Sequence, residues 1–311
     1  MIGAIAAGVV ALTAGLAAFS RLAAHRIERR IPADGSFVVV DGVRLHYTDR
    51  GHGPAIVMIH GLGGQMRNFS YALADMLVAD HRVILVDRPG AGYSAAAPSA
   101  AIPAQAALIA GLIDRLELDR PLVVGHSLGG AVALALGLDH PEKVSGLALI
   151  SPLTQPQEAV PPVFRGIAIR SPAVRRAVAL TLATPIGLLS GRKGAVAVFA
   201  PEAVPADFAL RGGAQLVLRP GAFDAASADL AAARADMAAL AARYAGLAVP
   251  VAILFGREDA ILDPEVHGRR IAVEVPRVEL TLIEGGHMIP ITAAETVAAW
   301  IRGRIIGPGP R

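Results

Sequence analysis

Residues 122–134 read LVVGHSLGGAVAL, an apolar run, a serine flanked by small residues, and a second apolar run rich in alanine. A serine hydroxyl is a weak nucleophile until a neighbouring base takes its proton. Gly125-His126-Ser127-Leu128-Gly129 is G-x-S-x-G between a strand-like and a helix-like segment. In that setting the serine stands on a sharp strand-to-helix turn with its side chain raised above the sheet. The turn strains the backbone, and small flanking residues let neighbouring chain come close. The helix start also leaves free N–H groups beside the hydroxyl, suited to holding an oxyanion. The chemistry this suggests is acyl transfer through Ser127.

Such a serine needs an imidazole, and the imidazole needs a carboxylate that fixes its tautomer and offsets the charge it gains. Nine histidines are present, of which His287, in EGGHMIP, sits on a glycine-hinged loop after the last strand-like run. His25, His46, His52, His81, His140 and His267 read as surface or strand positions. His60 and His126 belong to other motifs, and His60 reads as a structural residue bonding backbone under its loop. Asp259, in LFGREDAILDP, follows the preceding strand-like run and is the expected carboxylate. Its rivals are Glu258, expected to point to solvent, and Asp263, expected to cap the next helix. One oxyanion donor is the N–H of Leu128, the residue after the nucleophile. The second is expected from Leu62 in HGLGGQ, where Gly61, Gly63 and Gly64 permit a backbone path towards the serine.

These residues need a frame that carries them to one rim. Strands are predicted near 37–40, 43–48, 55–60, 82–87, 121–125, 144–150, 249–255 and 278–283, the first two joined at the turn dipeptide Asp41-Gly42. The later runs are almost continuously apolar, as in strands buried on both faces. Helices are predicted at 68–79, 102–117, 127–138 and 293–305, an alternation that reads as an α/β fold with a parallel sheet. The rhythm breaks over 152–248, which holds prolines and helix-like segments at 173–182, 193–199 and 225–244. That insertion reads as a helical cap over the strand ends, where open α/β sheets bind ligands.

HGLGG, DRPGAGYS, GHSLGG, GRED and GGHMIP, in that order over about 36–305, resemble the α/β-hydrolase fold family in its esterase, lipase and haloperoxidase-like branch. The order Ser127, Asp259, His287 is that family's order. The resemblance implies an eight-stranded, mostly parallel sheet, a core of 31–151 and 249–311, and a cap between strands 6 and 7. It also makes Asp87 and Arg88 of DRPG scaffold residues near the site mouth. Dehalogenases and epoxide hydrolases of this fold use an aspartate nucleophile, which Ser127 argues against. Carbon–carbon bond hydrolases share the serine triad but often carry Asn before the serine, where this chain has His126.

With 54% hydrophobic residues, the 311-residue chain has material for a large core. Arg21, Arg26, Arg29 and Arg30 against Glu28 account for the whole net charge of +3, so residues 31–311 are neutral. That leaves no basic body for nucleic acid. With no cysteine, disulfides and thiolate metal sites are excluded, and the triad chemistry calls for neither metal nor cofactor.

Ile2–Phe19 carries no charge and, as a helix, spans about 27 Å, close to a bilayer core. The arginines that follow it predict a single-pass membrane anchor over 1–30 with a cytoplasmic catalytic body. A cleaved export signal and a packed amphipathic helix are the alternatives. The expected activity is hydrolysis of a small-molecule carboxylic ester with an apolar acyl or aryl group. Phe164, Phe199, Phe208 and Phe223 of the cap serve either that group or the cap's own core. The rival readings are carbon–carbon bond hydrolysis or cofactor-free perhydrolysis by the same triad, and a membrane-tethered binding or assembly factor.

Overall fold

A computed structural model describes residues 1–304, with the backbone alone at Ile2. The chain opens with helix α1 (Ile2–Arg30), followed by strands β1 (Ser36–Val40), β2 (Val43–Arg50) and β3 (Ala55–Ile59). Helices α2 (Arg67–Ser70) and α3 (Leu73–Leu77) lead to β4 (Arg82–Val86), α4 (Ile102–Arg115) and β5 (Leu122–His126). After α5 (Leu128–Asp139) and β6 (Gly146–Ile150) comes a helical segment that precedes the seventh strand, called the cap below. It holds α6 (Pro172–Val178), a π-helical turn (Ala179–Ala183), α7 (Thr184–Phe199) and α8 (Pro220–Ala241). The core resumes with β7 (Val251–Gly256), α9 (Arg270–Glu274), β8 (Val278–Ile283), α10 (Ile289–Thr292) and α11 (Ala294–Arg302).

The eight strands form one sheet in the order β1-β2-β4-β3-β5-β6-β7-β8. Only the β1–β2 and β2–β4 pairs are antiparallel. Asp41 and Gly42 both have positive φ, as the predicted hairpin turn requires. Every residue of β5, β6 and β7 is buried, which explains their unbroken apolar sequence. One apolar layer joins α4, α5 and α8 to the sheet, and a second lies under α3 and α11 on the other face.

Several predicted helices differ in detail. The segment at 68–79 is two short helices, because the chain bends at Tyr71–Ala72. The pieces at 173–182 and 193–199 belong to one helical run over 172–199, joined through the π-helical turn. The glycines at 187, 191 and 194 hide that continuity in the sequence, since glycine lowers helix propensity without forbidding a helix held by packing. The last cap helix begins at Pro220 rather than 225 and ends at Ala241. The final predicted helix reaches Arg302, and position 305 lies outside the described residues.

Helix α1 behaves as two halves. Residues 3–15 are exposed throughout, whereas Ser20, Ile27 and Ile31 are buried against the rest of the chain. Ile27 and Ile31 pack on Leu216, and Glu28 pairs with Arg219 at 2.9 Å. Removing residues 2–15 is therefore expected to leave the thermal unfolding midpoint of the body unchanged. Ile31→Ala, at a site 1% exposed, is expected to cost about 2–5 kcal/mol in urea unfolding.

Candidate active site

Ser127 joins β5 to α5 with φ 55° and ψ −121°, in the left-handed half of backbone space. That conformation costs a non-glycine residue about 1–3 kcal/mol and persists only where its surroundings enforce it. The glycines supply the room. A Cβ on Gly125 would lie 2.5 Å from the Gly129 carbonyl oxygen, and one on Gly61 would lie 2.9 Å from the Cβ of Ser127. A Cβ on Gly129 would drive into the carbonyls of Ile59 and His60.

Asp259 follows β7 and is buried. Its Oδ1 accepts the N–H groups of Ile261 and Leu262, both at 2.9 Å, and its Oδ2 lies 2.8 Å from His287 Nδ1. Burial pushes the carboxyl up, but His287 and the two N–H donors outweigh it and hold the group below its ordinary value. A carboxylate only accepts, so Nδ1 of His287 is the donor, and in the neutral ring Nε2 is then the bare nitrogen. His287 is buried on the loop after β8. Asp263 caps the next turn through Glu265 N–H at 2.9 Å, and Glu258 is exposed.

His126 brings that loop to the Ser127 turn. Its ring lies 4.9 Å from the His287 ring, and its Nε2 donates to the His287 carbonyl at 3.0 Å. Burial first, then the neighbouring His287, lower the His126 pKa to about 3, so the ring is the neutral donor this bond requires. The Ser127 hydroxyl makes no hydrogen bond among the described residues. The structure thus brings Asp259 and His287 into direct contact and sets His287 against the residue before Ser127.

The Leu62 N–H is aimed by its own peptide. The Gly61 carbonyl accepts from Arg88 Nη2 at 3.0 Å and from His60 Nδ1 at 2.9 Å. In a trans peptide the N–H points opposite the C=O, so these bonds fix the direction of the Leu62 N–H. The His60 tautomer follows, because Nε2 accepts from the Arg88 N–H at 2.9 Å and must be bare. Burial, reinforced by Arg88, lowers the His60 pKa to about 3. The Leu128 N–H opens α5, with no earlier turn to receive it.

Arg88 itself is fully buried. Its guanidinium also reaches the His60 carbonyl, Gln105 and, at 2.8 Å, Asp229 on cap helix α8. Burial pushes the Asp229 carboxyl above its ordinary value, and Arg88 and Gln105 only partly pull it back. The DRPG arginine thus ties the loop carrying Leu62 to the cap, a link no local sequence signal announces. His267 corrects another expectation, for it is buried rather than on the surface. Its Nδ1 accepts from the N–H groups of Thr154 and Gln155 at 3.3 and 3.2 Å, at the root of the cap. Desolvation lowers its pKa to about 4.

A largely apolar cavity beside Ser127 is lined by Leu62, Leu128, Leu153, Phe164, Met237 and Ile261, with Gln157 and Arg234 as its polar members. Phe199 and Phe208 instead form their own buried cluster with Met288 and Ile291.

With this frame and serine turn, the chain belongs to the α/β-hydrolase fold family, whose model matches residues 54–294. It is 36% identical over 140 residues to the dihydrolipoyllysine-residue acetyltransferase component of an acetoin cleaving system from Cupriavidus necator, covering 44% of this chain and 37% of that one. It is 35% identical over 116 residues to a 2-hydroxy-6-oxo-6-phenylhexa-2,4-dienoate hydrolase of Burkholderia cepacia, covering 35% of this chain and 40% of that one. The chain thus spans less than half the length of these curated relatives. Among solved structures, an α/β-hydrolase fold protein of Burkholderia ambifaria aligns at TM-score 0.72 and 25% identity, covering 86% of this chain and 97% of that one. A bacterial membrane phospholipase A aligns at TM-score 0.67 and 25% identity, covering 97% of this chain and 96% of that one.

Two outcomes follow. Asp229→Ala leaves the Arg88 charge buried without its partner and is expected to cost about 3–5 kcal/mol in urea unfolding. His60, His126 and His267 are neutral when folded but bind protons when unfolded below about pH 6.5. Their stabilising contribution is whole above that value and drains away as pH falls towards 4 and 3. Asp259, held low, adds a loss as pH falls through its own folded value. The urea midpoint is expected to fall steadily below pH 6.5. His267→Gln, whose amide oxygen accepts the same two N–H groups, should flatten the slope.

Proposed function

We propose that the protein is a serine hydrolase of carboxylic esters acting through Ser127, His287 and Asp259. The observation that carries this reading is the 2.8 Å Asp259–His287 pair, set by His126 against a serine held at φ 55°. In this reading Ser127 Oγ attacks the ester carbonyl and its proton passes to the bare Nε2 of His287. The N–H groups of Leu62 and Leu128 receive the tetrahedral oxyanion. As the intermediate collapses, the imidazolium returns its proton to the departing alcohol, leaving an acyl-serine. Water, activated by the same nitrogen, releases the acid and restores the hydroxyl. Asp259 stays ionised throughout and stabilises the imidazolium.

The apolar lining beside Ser127 supports an apolar acyl or aryl group. Carbon–carbon bond hydrolysis by the same residues is the second reading, favoured by the name of the Burkholderia cepacia relative. A panel of p-nitrophenyl esters run beside a vinylogous diketo acid separates the two.

For α1 we infer a membrane-inserted segment. Its exposed, uncharged first half and the arginines at 21, 26, 29 and 30 support this. So does the phospholipase alignment, whose 97% coverage of this chain requires that most of α1 be included. An export signal remains the second reading of this segment, and N-terminal sequencing of the mature protein distinguishes them.

A fluorophosphonate probe is expected to label wild type and not Ser127→Ala. Asp259→Asn is expected to lower ester turnover about 10⁴-fold while leaving the unfolding midpoint within a few degrees. Retention of ester turnover in Ser127→Ala would overturn the assignment.

A further inference from the structure

The helical run over 172–199 packs on α8, whose Leu230 and Met237 line the cavity beside Ser127, yet one of its faces lacks a partner. Val174, Leu182, Ile186, Leu189 and Val196 recur at helical spacing, and their exposures run from 43% at Leu182 to 87% at Leu189. The opposite face is satisfied, with Ala179, Ala183, Thr184 and Phe199 buried. A helix in a water-soluble cap normally turns its apolar stripe inward and its polar one outward. Here the outward stripe is apolar from Val174 to Leu189, and Arg192 and Lys193 stand on the same face before Val196.

Two further observations say what lies against it. The first is position. Ser20 of α1 donates to the Thr181 carbonyl at 3.2 Å, so the cap meets α1 just beyond the uncharged stretch that ends at Phe19. Residues 182–189 therefore start from the level at which α1 would leave a bilayer. The second is charge. Between Glu158 and Glu202 the chain has no acidic residue, but it carries Arg165, Arg170, Arg175, Arg176, Arg192 and Lys193. Arg175 is paired with Asp224, and the other five are exposed. An apolar stripe flanked by cations is the pattern of a helix lying in an anionic membrane surface. A second copy of the same face would set those cations against one another.

We infer that the outward face of 172–199 is a second membrane contact, seated on an anionic lipid bilayer beside α1. The inference rests on the reading of α1 as membrane-inserted. It deepens the proposed activity, because a cap resting on the bilayer sets the cavity beside Ser127 to receive esters dissolved in that membrane.

The chain has no cysteine, so one introduced thiol carries an environment-sensitive fluorophore uniquely. Leu189→Cys replaces a side chain that supports no core. Val10→Cys reports on α1, and Asp119→Cys reports on an exposed loop before β5, at the opposite end of that strand from Ser127. Each full-length variant is reconstituted into phosphatidylglycerol-containing vesicles with and without brominated lipid. The expected result is a blue-shifted probe at 189, quenched at least about threefold more strongly than the probe at 119. If position 10 is quenched while 189 behaves as 119 does, the cap contact is overturned and the α1 reading stands. A blue-shifted but unquenched probe at 189 means that protein, not lipid, covers the face, and also overturns it. Equal quenching at 189 in vesicles of neutral lipid alone overturns the anionic assignment. If neither 10 nor 189 is quenched, both readings fall.

Discussion

The structure turns on a backbone conformation that a side chain resists. Ser127 sits at positive φ between a strand and a helix, and nothing local makes that favourable. What holds it is close packing. β5 is buried on both faces, and the start of α5 lies against the sheet at Gly129, where a Cβ would meet the carbonyls of Ile59 and His60. Gly61 leaves room for the serine side chain itself. Had any of these neighbours carried a bulkier group, the turn would relax and the hydroxyl would lose its place at the sheet rim. The apolar core is thus the means by which one strained residue is kept in position, with the strain repaid by burial elsewhere.

What the sequence disclosed followed the range of each interaction. Gly125, Ser127 and Gly129 announce their turn because its demands are met within five residues. The β5, β6 and β7 runs were readable because burial on two faces leaves an unbroken apolar string. The order of the strands that carry Asp259 and His287 points to one shared rim, and the two side chains lie 2.8 Å apart. The cap was harder. Its helical run over 172–199 carries three internal glycines and turns apolar residues outward, so neither propensity nor periodicity marks one continuous element. Local pattern marks Arg88 only as scaffold and His267 only as a surface or strand position. Their partners, Asp229 and the N–H groups of Thr154 and Gln155, lie 141 and more than 110 residues away along the chain, beyond the reach of local pattern.

Those distant partners share a purpose in the architecture. The cap is fastened to the core by polar links that converge on the loops around Ser127. Arg88 connects Asp229 of α8 to the loop carrying Leu62. Glu202 of the cap accepts the Gly286 N–H at 3.0 Å, next to His287. Tyr244 donates to the Thr154 carbonyl at 2.8 Å, where the cap departs from the sheet. Gln65 and Asn68, just after the glycine loop, both donate to the Gly212 carbonyl. Buried polar links of this kind specify one arrangement more sharply than apolar contact does, because each group left alone is costly. The geometry of the serine site and the seating of the cap are therefore a single problem in this fold.

The π-helical turn at Ala179–Ala183 shapes how the molecule meets its surroundings. One residue beyond regular α-helical count rotates all that follows by about 100°, and the widened turn frees a carbonyl from its usual partner. Here the Thr181 carbonyl receives Ser20. The same insertion decides which side chains of α7 look outward, so the direction in which the cap addresses its environment is a property of helical phase. The phase comes from the geometry of that one turn rather than from the composition of the helix it precedes.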